Sequence, residues 1–195
     1  MTGSSTASSV TQYNSILVLG GSSSVGASTV ELLRLSLPSA TIIATSSPAH
    51  NERLKGLGAT VVLDYKTSTL VTDIKAATPS GRGVDAIIDA VAGAASEPDI
   101  FDAFSKGGPK KYAEVATGAQ IQPPIGVNKD LVFGRNLYIT PGGEGSLNAL
   151  GPLIADGKFT IPLPIKIVGT GFDAIAKGLE QLKAGVSGTK LVVTI

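Results

Sequence analysis

The chain has 195 residues, of which 43% are hydrophobic and 16% charged, with a formal net charge of +1. That length suits one well-buried α/β domain rather than two independent ones, and the near-neutral balance suggests neither a nucleic-acid footprint nor an acidic tail. Cysteine is absent and the single histidine is His50, so disulfides and zinc sites of Cys or Cys/His type are excluded; no clustered carboxylate motif points to a hard cation, and no metal is expected.

Residues 1–15 are rich in Ser and Thr, with neither a basic cluster nor an apolar core, and read as a flexible leader rather than a signal peptide. No apolar run approaches the length needed to span a bilayer, and a cytoplasmic protein is expected. Strands are predicted over residues 16–20, 41–45, 60–64, 84–89, 111–116 and 136–140. Helices are predicted over 25–35, 50–57, 69–77, 97–104 and 146–156. Continuous apolar runs separated by amphipathic helices imply a parallel sheet covered on both faces, here a six-stranded doubly wound Rossmann α/β fold. Beyond Asp156-Gly157 the texture changes. Pro162 and Pro164 flank a short extended stretch, a helix follows near 172–184, and a β-prone run over 190–195 has no obvious place in the sheet.

The first strand breaks into small residues, Gly20-Gly21-Ser22-Ser23-Ser24-Val25-Gly26, just before the first helical pattern. This is the layout of a dinucleotide-binding turn, in which small residues let the backbone approach a pyrophosphate and the helix N-terminus faces its charge. The G-x-G-x-x-G pattern falls on Gly21, Ser23 and Gly26, so its middle position is a serine, which can offer a hydroxyl instead. A phosphate loop of the nucleoside triphosphatases also nearly fits, but Ala27 stands where its lysine must be. A purely structural strand-to-helix turn remains the other reading.

Nicotinamide enzymes that use NAD place an acid on the ribose diol about twenty residues further on, at the end of the second strand. Here that position holds Thr45-Ser46-Ser47-Pro48, with His50, Asn51 and Arg53 close behind. Hydroxyls and bases without a carboxylate fit a 2′-phosphate better than a free diol. Ser46 or Ser47 would equally serve as a helix cap, and both roles can hold at once.

The segments ILVLGGSSSVGASTVELL, IIATSSPAHNERLKGLGATVVLDY, VDAIIDAVAG, KYAEVATG and GLEQLKAGVSGTKLVVTI occur in that order. In them the chain resembles the cofactor-binding domain of the medium-chain dehydrogenases/reductases, in the zinc-independent branch of quinone oxidoreductases and fungal trans-acting enoyl reductases that work with polyketide synthases. The resemblance implies NADP(H) as cofactor. It matches Gly21, Ser22, Ser23, Ser24 and Val25 to the pyrophosphate loop, and Ser46 and Ser47 to the loop beside the adenosine ribose. Tyr65 and His50 fall by the 2′-phosphate; Ala90, Val91 and Ala92 match the loop after the fourth strand; Thr117 and Gly118 lie near the nicotinamide half.

In that family a GroES-like catalytic domain precedes the cofactor domain, and the resemblance implies that residues 190–195 would return to it. The implied reaction is hydride transfer from NADPH to an activated C=C, in an enone or enoyl thioester, or to a quinone. Partners implied are the dinucleotide, the absent catalytic domain or a polyketide synthase, and a second copy paired through the edge strand over 136–140. Neither nucleic acid nor a membrane is expected as a partner. The chain alone is expected not to turn over, and no residue in it is assigned as a general acid. A non-catalytic nucleotide-binding or interaction module is the alternative. Short-chain dehydrogenase chemistry is excluded because no tyrosine is followed four residues later by lysine, and a Ser-His-Asp hydrolase lacks its G-x-S-x-G elbow.

Overall fold

The computed structural model describes residues 12–140 and 143–195. Six parallel strands form one sheet: β1 (Ser15–Leu19), β2 (Thr41–Ser46), β3 (Val61–Asp64), β4 (Ala86–Asp89), β5 (Lys111–Val115) and β6 (Asn128–Val132). Their order is β3-β2-β1-β4-β5-β6, so the chain runs outward one way from β1 and then returns to run the other way from β4. β1 is buried at every residue because it has a strand on each side and helices above and below. Its alternate side chains feed two cores. Leu17 and Leu19 pack with Ile43, Ile87, Ile74, Phe101 and Tyr112 on one face, while Val18 packs with Ile42, Ala44, Val30 and Leu54 on the other.

Helix α1 (Ser24–Ser36) covers the second face, and α2 (Asn51–Gly56) joins it through Leu54. Arg34, in the last turn of α1, donates to the carbonyls of Gly58, Pro38 and Ala40 and to Thr60 Oγ1, which ties the helix to the entries of β2 and β3. Gly58, at φ +108°, lies just beyond the end of α2 and turns the chain toward β3. Helix α3 (Leu70–Ala76) and the short α4 (Gly93–Ser96) lie on the first face.

Three sequence expectations are corrected. Residues 136–140 are not a strand: Gly134–Ile139 is a 3₁₀ turn held by local bonds, including Asn136 N–H to Phe133 O and Thr140 N–H to Asn136 O. The sixth strand is β6, whose Asn128-Lys129-Asp130 start is too polar for an apolar-run criterion. Its charges are those of an edge strand and are paired with β5, Lys129 with Glu114 and Asp130 with Lys111. The helix predicted over 97–104 is instead a 3₁₀ segment, Pro98–Ala103, that follows α4, because Pro98 forces Glu97 out of the helical region to φ −128°, ψ 71°. The run over 190–195 is not without a partner. β8 (Lys190–Thr194) pairs in parallel with β7 (Ile165–Thr170), which the sequence did not announce, as a separate two-stranded sheet crossed by α6 (Asp173–Lys183).

This C-terminal unit follows α5 (Ser146–Ala155) and a connecting segment that is fastened to the main body. Glu31 accepts from the N–H and hydroxyl of Thr160, Arg53 donates to Pro162 O at 2.6 Å, and Leu163 enters the α1-side core. The predicted leader falls mostly outside the described residues, and Ser15 already belongs to β1. No helix among the described residues is long and apolar enough to cross a membrane.

Candidate functional site

The turn leaving β1 is drawn tight by hydrogen bonds from its backbone N–H groups. Gly20 N–H donates to Thr45 Oγ1 at 3.1 Å, Gly21 N–H to Thr45 O at 2.8 Å, and Ser23 N–H to Gly20 O at 2.9 Å. Ser23 is the N-cap of α1, its Oγ accepting from Gly26 N–H at 3.0 Å, so the hydroxyl that replaces the middle glycine has a structural task. A Cβ on Gly26 would run into the Gly20 carbonyl oxygen, and one on Gly20, at φ +72°, into the Val91 side chain. Both positions need glycine for lack of space. The first-turn N–H groups of α1 have no intrahelical acceptor and, with the helix dipole, offer an anion site.

The strand next to β1 at the switch point, β4, ends in Asp89, which sequence reasoning passed over. Its carboxylate is wholly buried and accepts from the N–H groups of Val91 (3.2 Å), Gly93 (2.8 Å) and Ala94 (3.0 Å) and from Tyr112 Oη–H (3.0 Å). That set of bonds fixes the 90–94 loop, including Ala92 in the left-handed region at φ 56°. The available signal was an acid closing an apolar strand with glycine four residues on.

Burial, then the charge and hydrogen bond of Asp89 and the charge of Glu114, push the Tyr112 phenol far above its ordinary value of 10. The folded state thus holds this proton more tightly than the unfolded chain. The resulting stability is complete below the ordinary phenol range and is lost as pH rises through and beyond it. Urea midpoints of the wild type are expected to fall steeply above about pH 10, and Tyr112→Phe should flatten that fall while costing about 1 kcal/mol at neutral pH. An alkaline decline of equal slope in both proteins would assign it to other groups.

Between these two loops, at the carboxyl ends of the strands where the sheet order reverses, lies a cleft of about 640 Å³. Ser22, Ser46, Ser47, Tyr65, Lys66, Val91 and Ala92 line it over an apolar floor that includes Leu70 and Ile100. Of the sequence-predicted residues, Ser22, Ser46, Ser47, Tyr65, Val91 and Ala92 are thereby brought together. Gly21 is buried beneath the turn, while Ser23, Ser24 and Val25 form the start of α1 beside it. Ser46 is buried and its hydroxyl donates to Ser47 O at 2.9 Å, whereas Ser47 occupies the cap position of a 3₁₀ turn, Pro48–His50, with no side-chain cap bond. Ala90 is buried, its N–H bonded to Leu19 O.

Other predicted residues stand apart. Thr117 and Gly118 are exposed at the end of β5, outside the lining of the cleft. His50 does not line it either; its Nε2 lies 2.8 Å from Ser187 Oγ, and Ser187 does. Arg53 turns to Pro162 O, and its partial burial lowers its pKa from the ordinary value. Lys66, Ser96, Glu97 and Ser187 are polar lining residues the sequence did not single out, Glu97 bringing a carboxylate to the β4 side of the cleft. Lys66 Nζ sits 5.6 Å from the centre of the Tyr65 ring, so the pair presents a phenol and an ammonium together. A second cavity of about 630 Å³, lined by Lys75, Arg82 and Lys106, opens at the amino ends of the strands, away from the switch point.

The profile of the zinc-binding dehydrogenase family matches residues 57–193. The chain belongs to that family. It is the medium-chain dehydrogenase/reductase superfamily whose motifs the sequence carries. A trans-enoyl reductase of Penicillium oxalicum, poxP, is 32% identical over 198 residues, covering 92% of this chain and 51% of that protein. Among solved structures, the CurK enoyl reductase aligns with a TM-score of 0.73 at 20% identity, over 95% of this chain and 55% of the other. Mycobacterial Rv1454c complexed with NADPH aligns at 0.71 and 19%, over 98% and 59%. The chain spans about half the length of the curated relatives it matches. Zinc does not fit the residues present. With no cysteine, His50 engaged by Ser187, and no group of three possible ligands among the described residues, these residues offer the metal no donor set.

Proposed function

We propose that the chain is the NADP(H)-binding half of a zinc-independent reductase. The observation that carries the reading is the cleft at the sheet's switch point. On one side of it a cramped glycine turn meets a helix N-terminus, and on the other stand Ser46, Ser47, Tyr65 and Lys66 with no carboxylate at the end of β2. Gly20, Ser22 and the first turn of α1 would hold the pyrophosphate. Ser47, Tyr65 and Lys66 would hold the 2′-phosphate, and the loop set by Asp89 would close over the middle of the dinucleotide, where its two halves meet. Bound there, NADPH supplies a hydride for an activated C=C or a quinone. The chain's own share is to orient the dinucleotide and shield one side of it, which is the protein's usual part in cofactor chemistry. The trans-enoyl reductase relative supports an enoyl acceptor; a polyketide synthase as partner and a cytoplasmic location are part of the same proposal.

Calorimetric titration should find NADPH bound about tenfold or more tightly than NADH, as charge-assisted contacts to one phosphate imply. Tyr65→Phe and Lys66→Ala should each reduce that preference. Equal affinities for the two cofactors would refute the assignment. His50→Ala should matter less, because the ring is turned to Ser187.

A binding module without turnover is the second reading. NADPH oxidation by a panel of enones and quinones separates the two readings. A homodimer also belongs to the proposal, with β6 as the edge offered to a second copy, since Leu131 and Val132 there are each 46% exposed.

A further inference from the structure

Glu114, on β5, is wholly buried, and its carboxylate meets the Lys129 ammonium of β6 at 2.6 Å. The same Nζ donates to the carbonyl of Ile121 at 2.6 Å. Ile121 belongs to the segment between β5 and β6, which begins with Thr117 and Gly118 and contains neither helix nor strand. Its side chain is buried in the α3-side core. Within residues 117–126, the Lys129 contact is the only hydrogen bond among the described residues that reaches another element. One ammonium therefore ties together the middle of β5, the edge strand and the segment that leaves the sheet beside the cleft.

A wholly buried carboxylate beside a lysine is a costly way to gain stability, since an apolar pair of the same volume commonly does as well. Its location suggests what the pair is for. The lined cleft runs from the β2 and β3 ends across the switch point to the loop after β4, and no residue from the end of β5 lines it. The two mononucleotide-binding halves of such a sheet place one half of a dinucleotide over the ends of β4 and β5, which is where the tethered segment stands. Resting on the NADP(H) reading, we propose that Lys129, held by Glu114, is a positioning residue for the nicotinamide half of the cofactor, acting through the 116–121 segment without touching the ligand.

The test compares two ligands on the whole chain by calorimetry. NADPH spans both halves, and 2′,5′-ADP occupies only the phosphorylated adenosine half. Lys129→Met should weaken NADPH by about tenfold, the scale of one lost charged hydrogen bond. Affinity for 2′,5′-ADP should stay within about twofold, as for sites that do not couple. Lys129→Arg should restore most of the loss. The double variant Glu114→Gln/Lys129→Met leaves no lone buried charge, and it decides the matter if the single variant does not fold; it should show the same split. Equal weakening of both ligands, or of neither, would overturn the proposal. So would wild-type affinity for NADPH no better than for 2′,5′-ADP. A wild type that binds neither ligand would instead overturn the cofactor reading, and this inference with it.

Discussion

Asp89→Ala is expected to lower the unfolding free energy by about 3 kcal/mol or more, because it strands several buried donors at once. Three backbone N–H groups, of Val91, Gly93 and Ala94, and the Tyr112 hydroxyl would lose their common acceptor in the core. NADPH affinity should collapse with it, since the 90–94 loop forms one wall of the cleft and Ala92 holds a left-handed conformation only under that constraint. Asp89→Asn keeps an acceptor oxygen and should lose less on both counts. Urea unfolding together with NADPH titration measures the two effects. A midpoint for Asp89→Ala within error of the wild type would mean that the loop is set by something else.

Gly26→Ala should weaken NADPH by about a hundredfold, because the added methyl can enter only by prising α1 away from the β1 turn. The obstacle is the Gly20 carbonyl, a backbone atom that no rotamer change can move aside. Gly56→Ala is the matched control. It sits at the end of α2 with nothing within 4 Å of a new Cβ, and should be neutral or stabilise by up to about 1 kcal/mol through helix propensity. If both substitutions leave NADPH affinity unchanged, close approach at the turn is not what the glycine provides.

The sheet was legible where burial on both faces makes a strand an unbroken apolar run, as in Ile16-Leu17-Val18-Leu19 or Ile42-Ile43-Ala44. It was illegible at the edge. β6 is specified by pairing, Lys129 with Glu114 and Asp130 with Lys111, and partners brought together only by folding leave no period in the sequence. The Asn136-Leu137-Tyr138-Ile139-Thr140 run looked more like a strand and is a turn, with Tyr138 66% and Ile139 79% exposed.

The candidate site divides the same way. Backbone-constrained positions such as Gly26 carry their signal in the residue type. Asp89, Lys66 and Ser187 are ordinary residues whose meaning comes from what the fold sets beside them. His50 stands between the two: its residue type drew attention, and its ring meets Ser187, which lines the cleft.

The fastening of the C-terminal unit has a thermodynamic consequence. Glu31 to Thr160, Arg53 to Pro162 and His50 to Ser187 bind the β7–α6–β8 unit to the flank that carries the loop after β2, and Ser187 itself belongs to the cleft. A ligand that needs this flank intact binds only the docked form, so occupancy of the cleft and docking of the unit stabilise each other by equal free energies. Whatever later packs against β7 and β8 would register in the nucleotide's dissociation constant without coming near the nucleotide.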